Sequence, residues 1–296
     1  MRIANLSGRL SVIVDDRAVD VADTSNGRFS PDVQDVYERF DEFRSWVAST
    51  SLPRGREFDL TDLGPPAPQP RQLLAIGLNY SEHARESGFA APPSPAVFTK
   101  FVTSITGPYG QVELPEGKVD WEVELVVVIG RRAHQVAEAE AWSHIAGLTV
   151  GQDISERVLQ MVGSVPQFSL AKSYPGFTPM GPWLVTPDEF DNPDDLELRC
   201  EIDGEQVQKG RSSELIFSVP ALIEKLSAVL PLLPGDVIFT GTPAGVGMGR
   251  SPQRFLQPGE VLTSSIEGVG ELRQTFVRPR GGVHRATPLT RSSHST

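Results

Sequence analysis

DWEVELVVVIG, residues 120–130, is apolar along its length except for Asp120, Glu122 and Glu124, and reads as a buried strand. A strand repeats every two residues, so Glu122 and Glu124 point to one side of the sheet, with Asp120 on the same side. Carboxylates gathered on one face of an otherwise apolar strand are unfavourable unless something cationic compensates them. A hard divalent ion held by oxygen ligands is the simplest such group. Asp153, at the end of the apolar stretch 145–152, is the natural third ligand. The alternative is an exposed strand at the rim of a barrel, its acids facing water or pairing with lysines. Mg²⁺ or Mn²⁺ is favoured over zinc, because no cysteine cluster or histidine pair lies near these acids.

Outward from this strand, 73–76 and 96–100 read as short strands, separated by a polar segment and by Pro92, Pro93 and Pro95. Downstream, 145–152, 237–240, 261–266 and 270–277 read as strands, and 196–202 with 205–208 as a hairpin about Asp203 and Gly204. Helices are expected over 137–143, after Ser155 as a cap, and over 215–229, where apolar residues recur on one face. Near the N-terminus, 10–14 and 19–21 form a hairpin pattern. Val33, Val36, Phe40, Phe43 and Trp46 are spaced for a helix over 31–50, and a proline-rich linker, 63–70, follows. No βαβ alternation is present, which argues against a doubly wound parallel sheet. The expected organisation is a mainly β (α+β) protein: a small N-terminal α/β subdomain and linker over 1–69, a catalytic domain over 70–278, and a disordered tail over 279–296.

With 25 Pro and 27 Gly, the composition also favours strands joined by turns. The net charge of −11 repels nucleic acid at long range, so no nucleic-acid partner is expected. Cys200 is the single cysteine, which excludes an internal disulfide and suits a reducing compartment; its strand pattern makes it packed rather than reactive. The first ten residues lack a signal-peptide pattern, and no run reaches the roughly 18 apolar residues of a membrane span. A soluble cytoplasmic protein is therefore expected.

Three further features bear on chemistry. His83 has Glu86 three residues on, so in a helical turn the carboxylate can hold the imidazole as a general base; an exposed local pair is the competing reading. Lys172 follows Leu170 and Ala171 and could supply charge to an enolate from the end of an apolar strand, or be a surface lysine. The glycine-rich loop 241–247 lacks the spacing of a nucleotide-binding motif. It reads better as a tight loop offering backbone N–H groups to a carboxylate.

The segments GLNYSEHARE (77–86), PAVFTK (95–100), DWEVELVVVIG (120–130), GQDISERVLQ (151–160), AKSYPGFTPMGPW (171–183) and LPGDVIFTGTPAGVG (233–247) together resemble the fumarylacetoacetate hydrolase family, over about residues 70–277. The likeness is to its acylpyruvase and 2-hydroxyhepta-2,4-diene-1,7-dioate isomerase branch. It implies a mixed β-sandwich roll, a homodimer, and one Mg²⁺ or Mn²⁺ per subunit on Glu122, Glu124 and Asp153. It implies a His83–Glu86 dyad on a lid that orders with ligand, an active-site Lys172, and substrate contacts from Arg157, Gln160, Lys100, Tyr174 and Thr242. The substrate implied is a small 2-oxo acid. The first expected reaction is hydrolysis of a C–C bond in an acylpyruvate, with water activated by the dyad and a metal-bound enolate formed. Isomerisation, tautomerisation or decarboxylation of a 2-oxo or 2-hydroxy-dienoic dicarboxylate on the same site is the alternative. A non-catalytic scaffold dimer is least expected, because the acids and the dyad are all present. Arg250 and Arg254 could meet a distal carboxylate or could be solvated.

Overall fold

The computed structural model describes residues 1–86, 88, 90 and 92–279, so the tail expected over 279–296 lies, from residue 280 onward, outside the described residues. Eleven strands form one mixed sheet. Its path runs Arg17–Asp20, Arg9–Val14, Arg2–Leu6, Thr178–Val185, Ile145–Gln152, Val123–Ile129, Val237–Phe239, Leu73–Gly77 and Ala96–Thr99, with Leu63–Gly64 and Ile105–Thr106 attached beside it. A second sheet of five strands runs Glu205–Arg211, Glu197–Ile202, Val261–Ile266, Gly270–Val277 and Tyr109–Glu113.

The Val123–Ile129 strand lies between Ile145–Gln152 and Val237–Phe239, antiparallel to both, and all seven of its residues are buried. Val123, Leu125, Val127 and Ile129 pack in the core shared with the second sheet, against Leu198, Ile202, Leu262 and Phe276. Val126 and Val128 pack in a separate core with Phe239 and the N-terminal aromatics Phe29, Phe40 and Phe43. Burial on both faces is why this segment is apolar throughout instead of alternating. Cys200 is fully buried in the inter-sheet core, and burial pushes its thiol up to about 12, against opposing contacts from Ser264 and Gln152.

The structure departs from the sequence reading in several places. A strand over Arg2–Leu6 was not anticipated; it pairs with Thr178–Val185 through Arg2↔Val185 and Ile3↔Leu184, so the small N-terminal subdomain extends the main sheet. The expected 31–50 helix is split into a 3₁₀ segment, Gln34–Arg39, and an α-helix, Phe40–Ser49, because Arg39 leaves helical geometry (φ −129°, ψ 35°). The expected 215–229 helix begins only at Val219, where Ser218 caps the Ala221 N–H and a proline occupies the first turn. Ser155 does not cap the helix after it. Ser155–Glu156 pairs with Val119–Asp120, and Glu156 accepts from the Val158 and Leu159 N–H groups to start the helix Arg157–Gln160.

Candidate active site and metal centre

Antiparallel register sets the acidic cluster. Val123 lies opposite Gln152, so the residues just before one strand and just after the other meet. The Asp153 N–H donates to the Glu122 carbonyl at 2.9 Å, and the Glu122 N–H donates to Gln152 Oε1 at 2.9 Å. One carboxylate oxygen from each of Glu122, Glu124 and Asp153 lies within 4.8 Å of the others. These residues are 4%, 1% and 0% exposed, which excludes the reading of acids facing water at a barrel rim.

The other half of that alternative, pairing with basic side chains, is partly realised. Lys172 Nζ donates to Glu122 Oε2 at 2.5 Å and to Asp153 Oδ2 at 2.6 Å. Lys100 Nζ donates to Asp153 Oδ1 at 2.5 Å and to the Phe177 carbonyl at 3.0 Å. Arg157 donates to Asp120 (2.9 Å), Glu122 (2.7 Å) and Gln160 (2.9 Å). Glu124 accepts the Gly241 N–H at 2.7 Å and has no ion-pair partner among the described residues.

Burial drives the Glu124 carboxyl well above its usual range, and the charges of Asp153 and Glu122 push it the same way. Burial also opposes ionisation of Glu122, but Lys172 and Arg157 outweigh it and hold that carboxyl below the usual range. Burial lowers Lys100, with Asp153 acting against the shift. In Lys172 burial is outweighed by Asp153 and Glu122, and the ammonium is raised. The donor set is all oxygen, and one buried carboxylate lacks a counter-charge, which fits a hard divalent cation. The cluster can coordinate one.

The dyad is formed, with His83 buried and Glu86 half-buried. On the helix Ser81–Glu86, His83 Nδ1 lies 2.8 Å from Glu86 Oε1, and His83 is 6% exposed. Glu86 also accepts the Gly245 N–H, at 2.9 and 3.1 Å to its two oxygens. The helix is anchored by Asn79, whose side-chain amide donates to the Thr240 and Phe217 carbonyls and accepts the Phe217 N–H. Gly241, at φ +105°, passes so close that a Cβ would lie 2.7 Å from Asn79 Cβ.

The glycine-rich loop presents backbone N–H groups to carboxylates, and those carboxylates are the protein's own. Gly241 donates to Glu124, Gly245 to Glu86, and Gly247 and Met248 to Asp120, at 2.6 and 2.9 Å for the last two. Thr242 Oγ1 donates to the Val123 carbonyl and accepts from Gln208, so the loop is tied to the metal-ligand strand as well.

Part of this group lines one open cleft. His83, Glu122, Glu124, Arg157, Gln160, Lys172 and Thr242 are all on its wall. Lys100 and Tyr174 are not. Lys100 stands behind Asp153, fully buried, and Tyr174 packs its ring 5.0 Å from that of Phe177. Both were expected to touch substrate; neither lines the cleft, and the wall does not include the candidate ligand Asp153 or Glu86 either. Lys172 ends the four-residue helix Phe168–Ala171, not a strand, and is 4% exposed, so it is no surface lysine.

Sequence reasoning passed over Asp120 as a site residue. Its alternation with Glu122 was the available signal, and it accepts from Trp121, Gly247, Met248 and Arg157. It also passed over Phe98, Met161, Phe168 and Met248 on the cleft wall, none of which has a polar signature.

A family model described as fumarylacetoacetate (FAA) hydrolase C-terminal matches residues 72–277. The human mitochondrial protein named oxaloacetate tautomerase FAHD2A is 41% identical over 207 residues, covering 69% of this chain and 66% of the human one, just under two thirds. A crystal structure from Mycobacterium smegmatis, provisionally named an HpcE protein, is 55% identical with a TM-score of 0.92, covering 95% of this chain and all (100%) of that one. Maleylpyruvate hydrolase from Sphingobium sp. SYK-6, solved with manganese(II) and pyruvate, is 28% identical with a TM-score of 0.77, covering 95% and 100% of the two chains. Among the described residues, no helix is long and apolar enough to cross a membrane.

Proposed function

Since the chain belongs to the fumarylacetoacetate hydrolase family and is an enzyme of it, we propose that it catalyses tautomerisation or double-bond isomerisation of a small 2-oxo acid bearing a further carbonyl. Underneath it lies a divalent-metal-dependent reaction on a dioxo acid at Glu122, Glu124 and Asp153, for which we propose Mg²⁺ or Mn²⁺. One observation carries the proposal: His83, backed by Glu86 at 2.8 Å, lines the same cleft as Glu122, Glu124 and Lys172. A base therefore faces the place where an enolate would need positive charge.

A divalent cation held by Glu122, Glu124 and Asp153 would supply Lewis-acid charge to the substrate there. His83 has its Nδ1 engaged by Glu86, leaving Nε2 to take a proton from the carbon next to the 2-oxo group. The electron pair of that C–H bond moves to the carbonyl oxygen, where the Lys172 ammonium meets the developing charge. Return of the proton to carbon at another position completes an isomerisation; protonation on oxygen completes enol formation. Arg157 and Gln160, bonded to each other, border the carboxylate end, and Thr242 is fixed beside it.

Hydrolysis of a C–C bond, the first expectation from sequence, is the second reading. It rests on the same dyad, which in a buried cleft could take a proton from water in place of carbon. The relatives bear names of both kinds, a tautomerase at 41% identity and a hydrolase at 28%. We also propose a homodimer working in the cytoplasm. Exposed Phe101, Val102, Val158 and Leu170 on neighbouring segments support the first, and a lone buried thiol supports the second.

The test is purified protein with Mn²⁺, given oxaloacetate enol, hydroxy-dienoic diacids and acylpyruvates, with products identified by NMR in D₂O. Deuterium incorporation at carbon without cleavage supports the proposal. Cleavage of acylpyruvates without exchange transfers it to the second reading.

A further inference from the structure

Side chains hold the acidic strand at its entry, where its neighbouring strand has run out. Toward Val237–Phe239 the strand pairs only at Val126, Val127 and Val128. Past the end of that partner, the Thr240 N–H and hydroxyl both donate to the Leu125 carbonyl, at 3.1 and 2.8 Å. Further out, the N–H of Val123 donates to Gln208 Oε1 at 3.0 Å and its carbonyl accepts Thr242 Oγ1 at 2.9 Å. Gln208 Nε2 donates to Thr242 Oγ1 at 2.8 Å and to the Pro243 carbonyl at 2.7 Å, which closes a ring around Val123.

Val123 stands between Glu122 and Glu124, so the ring holds the peptide units on both sides of it. The peptide joining Glu122 to Val123 is gripped at both edges: its N–H reaches Gln208, and its carbonyl accepts the Asp153 N–H at 2.9 Å. That planar unit therefore sets Glu122 against Asp153. Val123 is fully buried, so without Gln208 its N–H would have neither water nor a partner.

Gln208 reaches the acidic strand from the second sheet through a break in register. Cys200 pairs with Gln208 but Glu201 pairs with Gln206, so the pairing skips Val207. Val207 and Gln208 are both buried, at 5% and 2% exposed, where simple alternation would turn one of them outward. Arg250, which is not on the cleft wall, donates to the Val207 carbonyl at 2.9 Å and fixes this bulge.

We infer that Gln208 is a positioning residue for the metal centre: from the second sheet it fixes the Glu122–Val123 peptide, and with it the spacing of Glu122, Glu124 and Asp153. This rests on the metal-centre reading of the three acids.

The test is calorimetry of Mn²⁺ binding to the metal-free protein without substrate, with Tm measured alongside. Gln208→Met keeps the length of the side chain and loses both hydrogen-bonding ends, and should weaken Mn²⁺ binding about ten-fold or more. Gln274→Met is the control, since it removes another buried glutamine of the second sheet, one whose amide donates to the Gly107 and Pro108 carbonyls. It should lower Tm and leave Mn²⁺ affinity unchanged. If Gln208→Met does not fold, the isosteric Thr242→Val opens the same ring and should weaken Mn²⁺ binding about ten-fold. Undiminished affinity in the folded ring variant, or an equal loss in Gln274→Met, overturns the inference and leaves the metal-centre reading intact. Absence of Mn²⁺ binding by the unaltered protein overturns both.

Discussion

The Lys172 ammonium donates to Oε2 of Glu122 at 2.5 Å in a site where both residues are 4% exposed. In the proposed site Glu122 serves two roles: it offers oxygen to a divalent cation, and it pairs with Lys172 and Arg157. Glu122→Ala should weaken Mn²⁺ binding by about 100-fold or more. It should also destabilise the metal-free protein by about 3–5 kcal/mol, because two buried cations lose a partner. Electron paramagnetic resonance of free Mn²⁺ and urea unfolding read the two effects separately. Unchanged metal affinity would remove Glu122 from the ligand set.

Glu124 gives metal binding a pH dependence of defined sign. Its carboxyl is raised by burial first and by Asp153 and Glu122 next, so without metal it retains a proton above the ordinary carboxylate range. A group raised on folding contributes stability at low pH that is lost as pH climbs through its folded value. The metal-free protein should thus lose part of its stability as pH rises into that range, and Mn²⁺ should raise Tm most at the upper end. Binding must expel the proton, so affinity should fall as pH is lowered. Calorimetry in buffers of different ionisation enthalpy should register about one proton released per ion bound; zero release, or tighter binding at lower pH, contradicts this account.

How much of this was legible in the sequence depends on how local the cause is. The strands Ile145–Gln152, Val261–Ile266 and Gly270–Val277 appear with the expected bounds, because apolar content and turn residues mark them without outside help. Glu122, Glu124 and Asp153 were legible because acids stand out at strand ends. The strand Arg2–Leu6 was not: its sequence, RIANL, is weakly patterned, and its partner Thr178–Val185 lies far along the chain. The glycine-rich loop was read as a carboxylate binder, but that the carboxylates are the protein's own was not legible, since the Asp120 contact with Gly247 spans 127 residues. Lys100 and Tyr174 belong to segments that carry the family resemblance, and a shared segment says nothing of whether a side chain faces the cleft or stands behind it.

His83 separates proton transfer from binding. His83→Ala should reduce turnover by about 10²–10⁴-fold while leaving Mn²⁺ affinity within a few fold, because in the proposed mechanism the ring is a base and not a ligand. Glu86→Gln keeps the shape of the dyad but removes the charge that holds the imidazole and accepts the Gly245 N–H, so its loss in kcat should be smaller. A pH–rate profile for each variant, with Mn²⁺ saturating, checks both. If His83→Ala loses cleavage of acylpyruvates but keeps deuterium exchange, His83 activates water and another group moves the carbon-bound proton.

Asp120 holds the loop, the strand and Arg157 in one arrangement. Oδ1 accepts the Trp121 and Gly247 N–H groups at 2.9 and 2.6 Å; Oδ2 accepts Met248 N–H and Arg157 Nε, both at 2.9 Å. Asp120→Asn preserves volume but turns one acceptor into a donor, which leaves two of these four donors facing an N–H₂ group. Each orphaned donor costs about 1–3 kcal/mol, so the variant should lose about 2–6 kcal/mol of stability. Gly247→Ala attacks the same joint from the other side, since a Cβ there would lie 1.9 Å from the Arg254 carbonyl and 2.8 Å from Asp120 Oδ1. If Asp120 acts by positioning Arg157, both variants should raise KM for the 2-oxo acid more than they lower kcat. A stability loss with KM unchanged would make the joint structural only, with no hold on substrate.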